Sequence, residues 1–94
     1  MITRIVKMHF KAEEVDNFKQ FFNTIKDKIE SMPGLLNLKL YQDDENEAIL
    51  FTISSWLNDQ YLEEYRNSEL FGLVWPRTKA LFEQRPEAWS LKLK

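Results

Sequence analysis

Few side chains in this sequence of 94 residues can do acid-base or covalent chemistry. His9 is the only histidine, and an imidazole is the side chain that exchanges a proton most readily near neutral pH. His9 is therefore the candidate catalytic base. A single histidine on a strand is more often structural, and the sequence leaves both interpretations open. The chain has no cysteine, which excludes disulfides, thiolate metal ligands and a cysteine nucleophile.

Aromatic side chains form a second candidate group, in the middle and later part of the chain. Trp56 could stack on a planar ligand, although a tryptophan at the end of a strand is more often a core or interface residue. Tyr65, Phe71 and Trp75 could line an aromatic pocket, but their helical spacing would equally make them core residues. The sequence thus indicates a site for a small hydrophobic or aromatic molecule without excluding an ordinary core.

Motifs for phosphate or metal binding are missing. With only two glycines, the chain has no glycine-rich phosphate loop. The acidic pairs Asp43-Asp44 and Glu63-Glu64 are typical of a solvated loop and a solvated helix face. One histidine and surface carboxylates hardly provide a metal site. We therefore expect no metal and no cofactor.

The composition is that of an ordinary globular protein, with 44% hydrophobic and 30% charged residues. We expect one domain over residues 1–94. The 13 Lys and Arg residues are scattered among 15 Asp and Glu residues, so the sequence predicts binding neither to nucleic acid nor to a membrane surface. The N-terminus lacks the apolar region of a signal peptide, and no apolar run is long enough to span a membrane. A cytoplasmic protein is the resulting expectation.

Hydrophobic periodicity predicts the elements that must position these side chains. Residues 2–10 alternate as a strand, and residues 15–29 carry an apolar stripe at the spacing of an amphipathic helix. Met32-Pro33-Gly34 ends this helix. Residues 35–41 form a second strand, and the polar segment 42–47 predicts a hairpin to an antiparallel third strand.

The second half of the chain adds helices and a last strand. Asn58 or Asp59 can cap a helix, and Ser68 can cap a second helical segment. The apolar stripe of that segment continues as far as Phe82 through Pro76, which should kink or restart the helix. Residues 85–87 end it, and residues 88–94 alternate as the final strand.

The order β-α-β-β-α-β predicts an α+β fold of the ferredoxin-like type, in which both helical units cover one face of an antiparallel four-stranded sheet. The helix-side face is predicted to hold Val6, Met8, Phe10, Leu36, Leu38, Leu40, Ile49, Phe51, Ile53, Trp89 and Leu91. The other face is predicted to hold Ile5, Lys7, His9, Leu35, Asn37, Tyr41, Leu50, Thr52 and Trp56. Because the second face is too apolar to remain in water, we predict that a second copy covers it in a homodimer.

One pattern in the chain resembles a known family. Trp56 at the end of a strand, then Tyr65, then Ser68-Glu69-Leu70-Phe71 and the aromatic helix beyond resemble the antibiotic biosynthesis monooxygenase family of dimeric α+β barrels. The likeness covers nearly the whole chain through the order of its elements. It implies a pocket between sheet and helices. The family includes cofactor-independent oxygenases of polycyclic aromatic compounds, small-quinone oxidases and haem-degrading enzymes.

The resemblance to the polyketide oxygenases of this family implies roles for particular positions. Those enzymes use an Asn and, four residues later, a Trp on the third strand, with a Tyr in the following helix. Trp56 matches the Trp, Thr52 stands at the Asn position, and Leu62 stands at the Tyr position beside Tyr61. Thr52 and Trp56 nevertheless lie on the predicted dimer face, unless a bulge near residues 54–55 turns them toward the pocket.

The resemblance to the haem-degrading members is weaker at the site. The position of their axial His is Trp75, which cannot ligate iron. Their pocket Trp corresponds to Tyr65, and the Asn of their first strand corresponds to Val6 or a neighbour. These three departures argue against haem degradation.

Two functions therefore follow from the sequence. The first, implied by the resemblance, is a cofactor-independent monooxygenase of small aromatic or quinone-like substrates, in which the deprotonated substrate passes an electron to dioxygen inside a dry pocket. His9 would be the base, and Tyr61, Tyr65 and Thr52 would be hydrogen-bond donors. The alternative is a non-catalytic dimer that binds or senses a small hydrophobic molecule.

Overall fold

The computed structural model describes residues 1–94 and contains four strands and three α-helices. The strands are β1 (Ile2–Phe10), β2 (Leu35–Gln42), β3 (Ile49–Trp56) and β4 (Phe82–Lys92). The helices are α1 (Val15–Glu30), α2 (Asp59–Arg66) and α3 (Glu69–Lys79), and a 3₁₀ turn at Ala12–Glu14 precedes α1. The predicted α+β, ferredoxin-like order is confirmed, with its second helical unit divided into α2 and α3.

The four strands form one antiparallel sheet in the order β2-β3-β1-β4. The central strand β1 pairs with β3 through Ile5 and Ile53 and with β4 through Ile5 and Trp89. The predicted hairpin between β2 and β3 is confirmed. None of the helices has the length and apolar character needed to cross a lipid bilayer.

Helix α1 covers one face of the sheet through the stripe that its sequence predicts. All five stripe residues are buried, namely Val15, Phe18, Phe22, Ile25 and Ile29. They pack against Met8, Phe10, Leu38 and Leu50 of the sheet. The helix ends before Gly34, whose φ of 80° is accessible to glycine at little cost. A Cβ atom at this position would also overlap the ring of Tyr61.

Two polar caps fix the start of the later helices, as the sequence predicts. The Asn58 side chain accepts a hydrogen bond of 3.1 Å from the backbone N–H of Tyr61. Ser68 Oγ accepts one of 3.2 Å from the backbone N–H of Phe71. Helix α3 then continues through Pro76 as a single α-helix, so the predicted restart does not occur.

The end of α3 and the start of β4 differ from the prediction. The helix ends at Lys79, and β4 begins at Phe82 rather than at residue 88. Leu81 and Phe82 have the spacing of a helical stripe, but their pairing with β1 places them where β4 begins. Lys11 N–H donates to Leu81 O over 3.0 Å, and Phe82 pairs with Phe10. The backbone hydrogen bonds of β1 therefore determine where β4 starts.

Strand β3 faces the opposite way from the prediction. Directly opposite residues of an antiparallel pair share a face. Because Leu50, Thr52 and Trp56 lie opposite Met8, Val6 and Ile2 of β1, they face the helices. The other residues of the strand, Ile49, Phe51 and Ile53, face away. Both alternating sets are apolar, so the sequence pattern alone does not define the phase of this strand.

Strands β2 and β4 contain the remaining reversals. A register shift between Leu35 and Asn37 places Leu35 on the helix side, packed against the core, while Leu36 is 52% exposed. Trp89 and Leu91 lie opposite Ile5 and Thr3 of β1 and therefore also face away from the helices. The face without helices, which we call the outer face, is thus more apolar than predicted.

Candidate functional site

A cavity of about 220 Å³ lies between the sheet and the helices. All four strands contribute to its lining, among them β1 through Val6 and β3 through Thr52 and Ser54, and α1, α2 and α3 contribute the other lining residues. Of its 20 lining residues, 14 are hydrophobic. Since a dry cavity of about 150 Å³ holds benzene, this one has room for a small aromatic molecule of one or two rings.

A continuous series of aromatic rings forms one wall of the cavity. Trp56 stacks on Tyr65 with ring centroids 5.3 Å apart, and Tyr65 meets Phe71 edge to face at 5.2 Å. Phe71 in turn stacks on Trp75 at 5.8 Å. Trp56 is only 1% exposed, so this end of the wall is rigid. Such a wall suits a planar ligand, which can stack against or meet the edges of the rings.

Local hydrogen bonds hold this wall in place. Trp56 Nε1 donates to Ser54 Oγ over 3.0 Å, which fixes the indole at the end of β3. Ser68 Oγ donates to the backbone carbonyl of Tyr65 over 2.6 Å and accepts from the backbone N–H of Phe71. The junction between α2 and α3 therefore sets the relative positions of two wall residues.

Tyr65 supplies a hydroxyl group to this apolar environment. Burial raises the pKa of Tyr65 to about 12. The phenol therefore keeps its proton throughout the neutral range. It is suited to donate a hydrogen bond to an oxygen of a ligand and not to act as a base.

Two arginines, Arg4 and Arg66, line the same cavity, and both escaped the sequence prediction. Arg4 lies on the helix side of β1, and its Nη1 donates to Ser90 Oγ over 2.9 Å. Arg66 is exposed and pairs with Glu63 at 3.6 Å. Burial, and then the positive charge of Arg66, lower the pKa of Arg4 from its ordinary value, against the opposing effect of Glu63. A charged residue in phase with the apolar positions of β1 was the sequence signal for Arg4.

Five of the predicted ligand-binding residues come together in the cavity. Its lining includes Thr52, Trp56, Tyr65, Phe71 and Trp75. The bulge proposed at residues 54–55 is not needed, because β1 and β3 pair without a shift there. The roles of these side chains toward a ligand stay predictions.

Two other predicted site residues lie elsewhere. Tyr61 packs at Gly34 and against the small cluster of Ile2, Trp56 and Leu62, outside the cavity lining. His9 lies opposite Ile49 and Gln84 on the outer face. A base must come within hydrogen-bond reach of its substrate, directly or through one water. His9 has no such access to the cavity of its own chain.

No group of three or more His, Cys, Asp or Glu side chains is arranged to hold a metal ion. The cavity lining itself contains no His, Asp or Glu. Its polar chemistry therefore consists of hydroxyl groups and the two guanidinium groups.

Comparisons with known proteins agree with this geometry. The crystal structure of a conserved protein from Methanosarcina mazei Go1 has a TM-score of 0.93 at 22% identity, over 100% of this chain and 94% of that one. A crystal structure of an antibiotic biosynthesis monooxygenase has a TM-score of 0.92 at 19% identity, over 100% of this chain and 99% of that one. A protein from Pseudomonas aeruginosa has a TM-score of 0.84 at 21% identity, over 99% of this chain and 94% of that one. At these identities the likeness establishes the fold.

The sequence itself gives the family. A comparison with curated proteins gave no match. The family model for antibiotic biosynthesis monooxygenases matches residues 1–73, which include β1 to β3, α2 and the first half of α3. This match covers most of the chain and includes the predicted pattern from Trp56 to Phe71. The resemblance found in the sequence is confirmed: the chain belongs to the antibiotic biosynthesis monooxygenase family.

Proposed function

We propose that this protein is a cofactor-independent monooxygenase of a small aromatic or quinone-like substrate and that it acts as a homodimer. The observation that carries the proposal is the aromatic cavity, whose wall from Trp56 to Trp75 is built by the elements that the family model covers or reaches. Family membership supports a monooxygenase in general, and the cavity supports the substrate class.

The chemistry places few demands on the protein. In one such reaction, a ring CH₂ of the substrate becomes C=O, one oxygen atom of O₂ enters the product, and the other leaves as water with the two hydrogens. The substrate therefore supplies all four electrons, and no external reductant is required. The protein must exclude water, hold the ring and stabilise negative charge on the substrate oxygen. Stacking on the aromatic wall and a hydrogen bond from the protonated Tyr65 are suited to these tasks.

The homodimer is supported by the outer face of the sheet. Ile5, Phe51 and Ile53 form its centre, and Trp89 and Leu91 extend it while remaining 41% and 49% exposed. Monomeric proteins rarely expose a contiguous apolar face of this kind. A second copy is the natural cover because an isologous pair buries the same residues on both sides.

The absence of a proton acceptor from the cavity lining favours a second candidate, a dimer that binds or senses a small hydrophobic molecule without turnover. Oxygen uptake separates the two. The wild type is assayed with a panel of aromatic hydroquinones, in parallel with ligand binding by calorimetry. Uptake in proportion to the substrate consumed supports the monooxygenase, whereas binding without uptake supports the second candidate.

A cavity-filling variant links either result to the site. Thr52→Phe places a ring in the cavity, and we expect it to reduce uptake and binding at least about tenfold because the ligand loses its space. Thr24→Phe is the matched control, since Thr24 is an exposed residue of α1 outside the lining. Equal activity of both variants would contradict the assignment of the site.

A further inference from the structure

The charged side chains that line the cavity are all positive. Arg4 and Arg66 are its only ionised lining residues, and no acidic side chain accompanies them in the lining. An arginine cannot lose its charge in a protein, so it must be hydrated, paired or compensated by a ligand. An arginine in the lining that has no negatively charged partner therefore indicates a ligand that carries a negative charge.

Of the two cavity arginines, Arg4 is the one that has no carboxylate as an ion-pair partner. The two ion pairs of the chain are Arg66 with Glu63 and Lys92 with Asp59, both at 3.6 Å, and neither includes Arg4. Its neighbours across the sheet are Ser54 and Ser90. Only the hydroxyl of Ser90 accepts a hydrogen bond from it. Since a guanidinium has five N–H donors, the remaining donors of Arg4 have no acceptor in the protein and are available to water or to a ligand.

Arg66 increases the demand for a negative group at this place. Its positive charge acts on Arg4 and disfavours the charged form of that side chain. Glu63 is paired with Arg66 and is largely exposed, and its effect on Arg4 is smaller than the opposing effect of Arg66. A ligand anion near Arg4 would relieve the repulsion between the two guanidinium groups.

The rest of the cavity defines the other part of the ligand. Arg4 lies in the same lining as the aromatic wall, so one molecule can place a ring against the wall and an oxygen anion at the guanidinium. The volume of about 220 Å³ has room for a system of one or two rings. A carboxylate matches the planar donor geometry of arginine with its two oxygens, and a ring phenolate can accept hydrogen bonds through its single oxygen.

We propose that the cavity selects the anionic form of a one- or two-ring aromatic compound and that Arg4 is the specificity-determining residue. This inference rests on the proposed function and names its substrate class. It also explains a site without a base: the cavity takes up the substrate already ionised and stabilises that form. Proton removal by a protein side chain is then not required.

Two ligands of nearly equal shape test the proposal. Calorimetry compares 2-naphthoate with the neutral 2-naphthamide at pH 7 and low salt. We expect the wild type to bind the carboxylate about 10- to 100-fold more tightly, which is the range for a hydrogen bond between charged groups. This preference should decrease as salt is added. Equal affinities, or no binding of either ligand, would overturn the proposal.

Three variants assign the preference to Arg4. Arg4→Gln removes the charge while its amide can still reach Ser90, and we expect the two ligands to bind equally. Arg77→Gln is the control, because Arg77 lies over the ring of Phe21 and outside the cavity lining, and it should keep the full preference. Arg4→Lys should keep a reduced preference, and it replaces Arg4→Gln if that variant does not fold. A preference that survives both Arg4 substitutions unchanged would overturn the assignment.

Two further measurements separate the possible anions and the two proposals. If the natural group is a phenolate, 2-naphthol should bind more tightly as the pH rises toward its ionisation, and Arg4→Gln should remove this rise. A carboxylate ligand predicts tight binding of 2-naphthoate with no such gain for 2-naphthol.

Failure of every hydroquinone to consume oxygen would contradict the proposed monooxygenase activity, and it would leave the proposed anion selectivity intact. Turnover of a hydroquinone together with equal binding of 2-naphthoate and 2-naphthamide would support the monooxygenase and contradict the anion selectivity.

Discussion

The two faces of the sheet use the same strands for different purposes. On the helix side, one row across the sheet is Ala88, Val6, Thr52 and Leu40, and the next contains Ser90, Arg4 and Ser54. On the outer face, the row between them contains Trp89, Ile5 and Ile53. The helix-side rows include the small residues Ala88, Thr52, Ser54 and Ser90 and border the cavity beneath the helices, whereas the outer-face row holds large apolar residues with no helix over them. This difference agrees with the proposal that the helix side binds the ligand and that the outer face forms the dimer interface.

The largest effect is expected from removing a large side chain from the helix side of the sheet, which we call the inner face. Trp56→Ala deletes a fully buried indole and its hydrogen bond to Ser54, which should lower the free energy of unfolding by roughly 3–5 kcal/mol. Trp89→Ala on the outer face should cost about 1 kcal/mol or less. Urea unfolding at a concentration below that of dimer formation measures both. An equal decrease in the free energy of unfolding for both variants would contradict the difference between the two faces.

A charge on the outer face tests the other half of the comparison. Ile53→Asp places a carboxylate at the centre of the proposed dimer interface, where it would be buried without a partner, and should weaken self-association at least about 100-fold. Leu73→Asp is the control, because Leu73 is 74% exposed on α3 and far from the outer face. Sedimentation over a range of concentrations measures the dissociation constant. A wild type that stays monomeric at high concentration would contradict the homodimer.

Alkaline pH should reveal the burial of the inner face. The pKa of Tyr65 is raised to about 12 in the folded chain, against 10.0 as its ordinary value. Between these values the unfolded chain loses this proton before the folded chain does, so stability falls as the pH rises. The loss should amount to about 2–3 kcal/mol by pH 12. Urea unfolding between pH 9 and 12 should show it in the wild type and in Tyr41→Phe, and a Tyr65→Phe variant with the same pH dependence would contradict it.

The smallest effect is expected at His9. Because His9 lies on the outer face, His9→Gln should leave oxygen uptake within about twofold of the wild type, provided that the dimer still forms. The check is the rate of uptake together with the sedimentation of the same sample. A loss of uptake in an intact dimer would restore the base that the sequence predicts and contradict the base-free cavity.

The sequence predicts the fold well because its strongest signals are local. The apolar stripe of α1, the stop at Gly34 and the cap at Ser68 each depend on a few neighbouring residues, and all three appear as predicted. The start of β4 does not, because the spacing of Leu81 and Phe82 fits a helix as well as a strand. Only pairing with β1, far away in the chain, decides between the two.

The candidate site can be predicted only in part from the sequence, because it also depends on pairing between distant segments of the chain. Trp56, Tyr65 and Trp75 are recognisable by residue type, and the structure places them in one wall. Which way β3 faces depends on register, because large apolar residues occupy both of its sides. Arg4 was missed because a charged residue within a strand is usually solvated, although its place in phase with Val6 and Met8 indicated that it shares their face.

One measurement tests the division between the faces most directly. The chain has three tryptophans, of which Trp56 and Trp75 line the cavity and Trp89 lies on the outer face, so their indole N–H signals report separately in a ¹⁵N NMR spectrum. Titration with 2-naphthoate should shift the first two signals and leave the third in place. Dilution through the dimer dissociation constant should shift only the signal of Trp89. A naphthoate titration that shifts Trp89 alone would contradict the assignment of the ligand site to the inner face.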